Sequence, residues 1–133
     1  MPFWYNAPAI SNANEAHLLV RDLLKVSRYS KHLPESWKFV SVDFVQNNTD
    51  FEGLFTPSYR LCNIKLATNG QRLSVLIHEV THFIEWELLK TLGHGKIFVK
   101  LYAELLCDAI SKETAKEFID TYTSYMAFWR SEK

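Results

Sequence analysis

The run His78-Glu79-Val80-Thr81-His82 places two imidazoles and a carboxylate close together in the chain. On an α-helix, residues four apart stand on one face, about 5.4 Å from turn to turn, so His78 and His82 are spaced to share one metal ion. Glu79 lies about 100° round the helix from His78, within reach of a water beside that ion without being a ligand. A zinc hydrolase needs this division of labour: histidines hold the ion and a carboxylate takes a proton from the water. The bland alternative is a pair of core histidines with polar partners. A core, however, has no use for a glutamate beside the first of them.

The motif is short, so its setting decides its value. Thr68 and Gln71 have the spacing of a capping box, and Gly93 is a natural stop, which predicts a helix over 68–93. Leu73, Val75, Leu76, Ile77, Val80, Phe83, Ile84, Trp86, Leu88 and Leu89 cover most of its circumference, as in a buried central helix. Upstream, Asn12 and Glu15 repeat the cap spacing, and Ala16, Leu19, Val20, Leu23 and Leu24 form one stripe of a helix reaching about Arg28. His17 and His32 are expected at the surface. Trp37 to Gln46 reads as a strand, with Val40, Val42 and Phe44 alternating against Ser41, Asp43 and Val45. Residues 47–57 read as a loop. Tyr59 to Ala67 reads as a strand with Cys62, Ile64 and Leu66 on one face. Helices are expected from about Lys96 to Ser111 and from Glu113 to Arg130, the latter with Ala115, Phe118, Ile119, Tyr122, Met126 and Trp129 as its core stripe. Residues 1–10, with Pro2 and Pro8, read as an extended aromatic arm packed on the domain, the alternative being that Trp4 and Tyr5 meet a partner. The order of helix, strands, then helices defines an α+β domain over 1–133, with helices packed on a small sheet.

A catalytic zinc keeps three protein ligands and one open position. The metzincin spacing would put Gly at 85 and His at 88; Glu85 and Leu88 exclude it. Two candidates remain for the third ligand. His94 lies between Gly93 and Gly95, whose freedom would let a loop fold back along the helix. Glu104 has gluzincin spacing, with Asp108 four residues on to orient a histidine; alternatively both carboxylates face solvent, with Lys100 pairing to Glu104. Spacing alone leaves the two close.

His78-Glu79-Val80-Thr81-His82 followed by His94-Gly95-Lys96 and Phe98 resembles the SprT-like zinc metalloprotease domain. In that family H-E-x-x-H precedes an H-G-x-x-[FW] segment. The resemblance takes in the Gly53 loop, the strand before the active-site helix and the N-terminal helix, over about residues 12–106. It implies Zn²⁺ as cofactor, His94 as third ligand and proteolysis as activity. The family cleaves proteins attached to DNA. This chain lacks the paired cysteines and basic tails many members carry, so a nucleic-acid partner stays open.

The expected function is zinc-dependent peptide hydrolysis with Glu79 as general base, on a protein or peptide substrate. Tyr59, Tyr102 and Tyr122 are candidate donors to the developing oxyanion. The strand Tyr59–Leu66, taken as the sheet edge beside the helix, would bind an extended peptide by strand addition, through Tyr59, Leu61 and Asn63. The alternatives are a zinc-containing binding or regulatory module without activity, its fourth metal position closed by Glu104 or Cys107, and a gluzincin-type protease using Glu104. A metal that merely staples helices is a weaker fit, since it needs no base.

Composition narrows the rest. The 133 residues are 47% hydrophobic and carry 15 Lys and Arg against 15 Asp and Glu. With zero net charge and no basic run, where a dedicated nucleic-acid or membrane-surface binder would usually be more basic, neither is implied. No apolar run spans a membrane, and the N-terminus has no signal-peptide pattern. Cys62 and Cys107, far apart, are expected as reduced thiols in a cytoplasmic protein.

Overall fold

The computed structural model describes residues 9–46 and 50–131, with side chains to Tyr122. Phe3, Trp4, Tyr5 and the side chains of Met126 and Trp129 lie outside that range. Seven main elements follow in order: α1 (Ala13–Val26), β1 (Val40–Val45), β2 (Gly53–Thr56), β3 (Cys62–Ala67), α2 (Leu73–Leu89), α3 (Lys96–Ala109) and α4 (Lys112–Ser131). Among the described residues the fold is α+β, four helices with a three-stranded sheet. Among the described residues no helix is long and apolar enough to cross a membrane.

Asn12 caps α1 as its spacing predicts, its side chain accepting from the Glu15 N–H at 2.8 Å. The helix stops two residues short of Arg28. There the Arg28 N–H leaves the helical ladder and donates to Asp108 Oδ2 at 2.7 Å. The predicted strand over 37–46 is shorter as well. Ser36–Phe39 forms a 3₁₀ turn behind Glu35, which holds a left-handed φ of 53°, and the strand begins at Val40. His32 is exposed, and half-buried His17 places Nε2 3.0 Å from the Trp37 carbonyl.

β2 falls inside the stretch expected to be a loop. Four residues carry little propensity of their own; Phe55, buried against Phe83 and His82, holds them in place. β3 starts at Cys62 and not Tyr59, with Cys62, Ile64 and Leu66 buried on one face as their alternation predicts. The sheet order is β1-β3-β2, with β1 parallel and β2 antiparallel to β3. β3 is therefore the central strand, hydrogen-bonded on both sides. The expectation that Tyr59–Leu66 forms a free edge is overturned, and β2 is the edge packed beside α2.

α2 corrects the predicted ends of its helix. Thr68–Gly70 is a 3₁₀ turn, and Thr68 does not cap α2. The intervening backbone is used elsewhere: Gln71 O accepts from the Ile10 N–H at 2.8 Å, and Ala9 bridges Arg72. Gly70 lies so close to β2's approach that a Cβ there would sit 1.8 Å from the Glu52 carbonyl oxygen. At the far end α2 stops at Leu89, not Gly93. Lys90 takes the left-handed turn at φ 54°, its N–H donating to Trp86 O at 2.9 Å and its ammonium lying over the Trp86 and Tyr59 rings. Neither Gly93 nor Gly95 has a positive φ, so the turn toward His94 is not made by glycine freedom.

Leu76, Ile77, Val80, Phe83 and Ile84 of α2 are almost wholly buried and join β3, α1 and α3 in one core. α4 begins after Ser111, whose hydroxyl caps it by accepting from the Thr114 N–H at 3.0 Å.

Candidate metal centre

His78 and His82 project from the same face of α2, as their spacing requires, and His94 meets them from the loop between α2 and α3. His94 Nε2 lies 3.2 Å from His78 Nε2 and 3.1 Å from His82 Nε2. The three form the group among the described residues able to hold a metal ion, with ligand atoms all within 4.8 Å of one another. Their fit to zinc can be tested on those distances. Tetrahedral Zn–N bonds of about 2.0–2.1 Å put ligand nitrogens about 3.3 Å apart. Ring nitrogens at this separation cannot all be paired by protons, because each offers one hydrogen or one lone pair. A single cation satisfies all three, and both separations from His94 fit the ion.

Phe98, in the first turn of α3, sits against the whole cluster, its ring 4.9, 4.5 and 5.0 Å from those of His78, His82 and His94. Phe55 stacks on His82 at 6.4 Å. This apolar setting shifts the imidazoles. Burial, with His94 nearby, lowers His78 to about 4, and burial, with both other histidines, lowers His82 to about 3. Neutral imidazole is the form that ligates a metal. His82 Nδ1 is buried without a hydrogen-bond partner.

Glu79 is only 4% exposed. Burial pushes its carboxyl up to about 7, against the backbone N–H of Phe55, which donates to it and pulls the other way. Gly53 makes this closeness possible: a Cβ there would come 2.6 Å from Val75 Cγ1 and 3.0 Å from Glu79 Cγ. A cavity of about 310 Å³ opens beside these groups, lined by His78 and Glu79 together with Gly53, Ser74, Val75 and Tyr102.

The other candidates fall elsewhere. Glu104 is not with the histidines. Its Oε1 accepts from the Tyr29 hydroxyl at 2.7 Å and its Oε2 pairs with Arg28 at 3.2 Å, while Asp108 takes Arg28 at 3.0 Å. Both carboxylates tie α3 to the end of α1, so Glu104 pairs with Tyr29 and Arg28 and not with Lys100, and neither it nor Asp108 joins the three histidines. Cys107 is likewise outside the histidine group. Tyr59, 83% exposed, packs on Trp86 at 5.4 Å. Leu61 is half exposed, and the Asn63 amide donates to Ser41 Oγ and Asp43 Oδ2 at 2.8 Å, across the sheet. None of these three lines the cavity. The Tyr102 hydroxyl donates to Ser74 O at 3.2 Å and that of Tyr122 to His94 O at 3.0 Å.

Three contributors carried weak sequence signals. Phe98 was visible only inside the family-like segment, and Gly53 only as a loop breaker. Glu85, on the apolar helix, stands out in the sequence only as a residue that breaks the metzincin spacing. It is 4% exposed and accepts from the Thr91 hydroxyl at 3.0 Å, fastening the start of the loop that carries His94. Compared with models of known families, with characterised proteins and with solved structures, the chain matches none.

Proposed function

We propose that the protein is a zinc-dependent peptidase in which His78, His82 and His94 hold the ion and Glu79 is the general base. The observation that carries this reading is the convergence of three imidazoles, the His78 and His82 Nε2 atoms lying 3.2 and 3.1 Å from that of His94, with the buried carboxyl of Glu79 beside His78 at the wall of one cavity. Bound zinc would supply acidification of a water and polarisation of the scissile carbonyl.

The chain's own residues do the rest. Glu79, desolvated at the cavity wall beside His78, accepts the proton of the attacking water and returns it to the leaving amine. Held by the Phe55 N–H, its carboxylate stays aimed as the proton moves. Phe98 and Phe55 keep bulk water from the back of the cluster, which strengthens the electrostatics in front. Substrate entry belongs to β2. An extended peptide laid along this edge pairs through backbone groups and brings its side chains past the cavity at Gly53 and Val75. Backbone pairing of this kind suits loose sequence preference. A neutral chain whose Cys62 and Cys107 are both free fits action on protein substrates in the cytoplasm.

The test is metal content and turnover together. The wild-type protein should bind one zinc and cleave unfolded casein in a chelator-sensitive way. Glu79→Gln should keep the zinc and lose at least about 10²-fold in rate, the usual yield of general acid–base catalysis. Undiminished turnover in that variant removes Glu79 from the mechanism; full zinc in His78→Ala or His82→Ala removes the ligand assignment. Zinc without turnover in the wild type favours the binding-module alternative.

A further inference from the structure

The loop that carries His94 has little of its own to hold it. His94 is exposed, Gly95 has no neighbour within 4 Å of where a Cβ would be, and Gly93 has only the Gly95 N at 3.9 Å. Its beginning is fastened to α2 by the Lys90 N–H on Trp86 O and the Thr91 hydroxyl on Glu85. At His94 itself the fastening comes from 28 residues further on, where the Tyr122 hydroxyl donates to the His94 carbonyl at 3.0 Å. The helix carrying Tyr122 also reaches the other side of the cluster. Phe118 stacks on Tyr102 at 4.3 Å and 14°, Tyr102 stands edge-on to His78 at 5.9 Å, and its hydroxyl donates to Ser74 O. α4 therefore touches the centre twice, at the backbone of the third ligand and, through Tyr102, at the ring of the first.

We propose that Tyr122 is a positioning residue for the metal centre, coupling the docking of α4 to occupancy of the site by holding His94 where its imidazole meets those of His78 and His82. This rests on the reading of the three histidines as metal ligands, not on the hydrolytic activity. A ligand already held in place loses less conformational freedom when the ion binds, so the site with α4 docked binds more tightly. Linkage makes the effect mutual: an ion that prefers the docked form must strengthen docking by the same factor. Any partner or modification that pulls α4 away would then lower the protein's hold on its ion.

Tyr122→Phe removes the hydroxyl and leaves the ring beside Phe118. Zinc affinity is measured by competition with a chromophoric chelator, alongside thermal unfolding of the zinc-free protein. Amide hydrogen exchange over residues 112–122 is followed with and without zinc. The expected result is zinc binding about two- to tenfold weaker in Tyr122→Phe, the value of one ordinary hydrogen bond, with little change in the zinc-free melting temperature. Zinc should slow exchange in α4 of the wild type, and less so in Tyr122→Phe. Wild-type affinity in the variant, or equal zinc protection in both proteins, overturns the coupling and leaves the ligand assignment standing. A wild-type protein that takes up no zinc overturns both. Should the variant fail to fold, the wild-type exchange experiment decides alone: α4 amides indifferent to zinc refute the proposal.

Discussion

At the scale of single residues, the centre opposes two kinds of buried ionisable group. In the zinc-free protein His78 and His82 are held at about 4 and about 3, below the 6.5 of a free imidazole. The unfolded chain takes up protons that the folded one refuses, so the stability these histidines contribute is complete above pH 6.5 and is lost as pH falls toward 3. Glu79 has the reverse sign. Its carboxyl is raised from 4.5 to about 7, so its contribution is complete below pH 4.5 and lost as pH rises through 7. Glu79→Gln should therefore stabilise the zinc-free protein at pH 8 by up to about 3 kcal/mol and change little at pH 4. Denaturant unfolding at the two pH values checks this; an equal effect at both would separate the stability of Glu79 from its ionisation. Burial, which no spacing encodes, sets the sign of these shifts. Spacing announced His78, Glu79 and His82, because helical geometry alone puts them together. It left His94 and Glu104 level, because the choice depends on Tyr29 and Arg28, some 75 residues upstream of Glu104.

At the scale of elements, the glycines change places. Gly93 and Gly95 flank His94 and looked necessary in the sequence; Gly53 and Gly70 looked like ordinary breakers. The space around them says the opposite, since a side chain at Gly70 meets the Glu52 backbone and one at Gly53 meets Val75 and Glu79. Gly93→Ala should leave the melting temperature and zinc affinity close to wild type. Gly70→Ala should destabilise by about 2 kcal/mol or more, since its nearest neighbour is backbone that cannot step aside. Thermal unfolding of the pair checks the contrast, and equal melting temperatures would contradict it. The same elements show where pattern reading succeeds. The alternation in β1 and β3 and the cap of α1 are local and were legible. β2 and the true start of α2 were not. Both are set by contacts between segments, Phe55 on Phe83 and Gln71 on Ile10, that no window of neighbouring residues contains.

At the scale of the molecule, the reading of helices on a small sheet came directly from the order of periodicities. The strand order did not. Which strand lies in the middle depends on pairing between segments whose local patterns are alike. One cross-chain tie is testable at this scale. Arg28 joins α1 to α3 through Glu104 and Asp108, and removing it leaves two half-buried carboxylates side by side. Arg28 is 44% exposed, so the cost is modest. Arg28→Met should lose about 1–2 kcal/mol, more at low than at high salt, read by urea unfolding. A loss unaffected by salt would mean the arginine acts by packing.

The middle position of β3 also orders events as the chain folds. β3 must settle between two strands made before it. Pairing with β2 closes only residues 57–61, whereas pairing with β1 joins Val40 to Cys62. The shorter closure is entropically cheaper and therefore earlier. The nascent fold thus acquires the hairpin that will flank Glu79 ahead of the outer parallel strand, and the half of the sheet nearest the histidine cluster is the half assembled first.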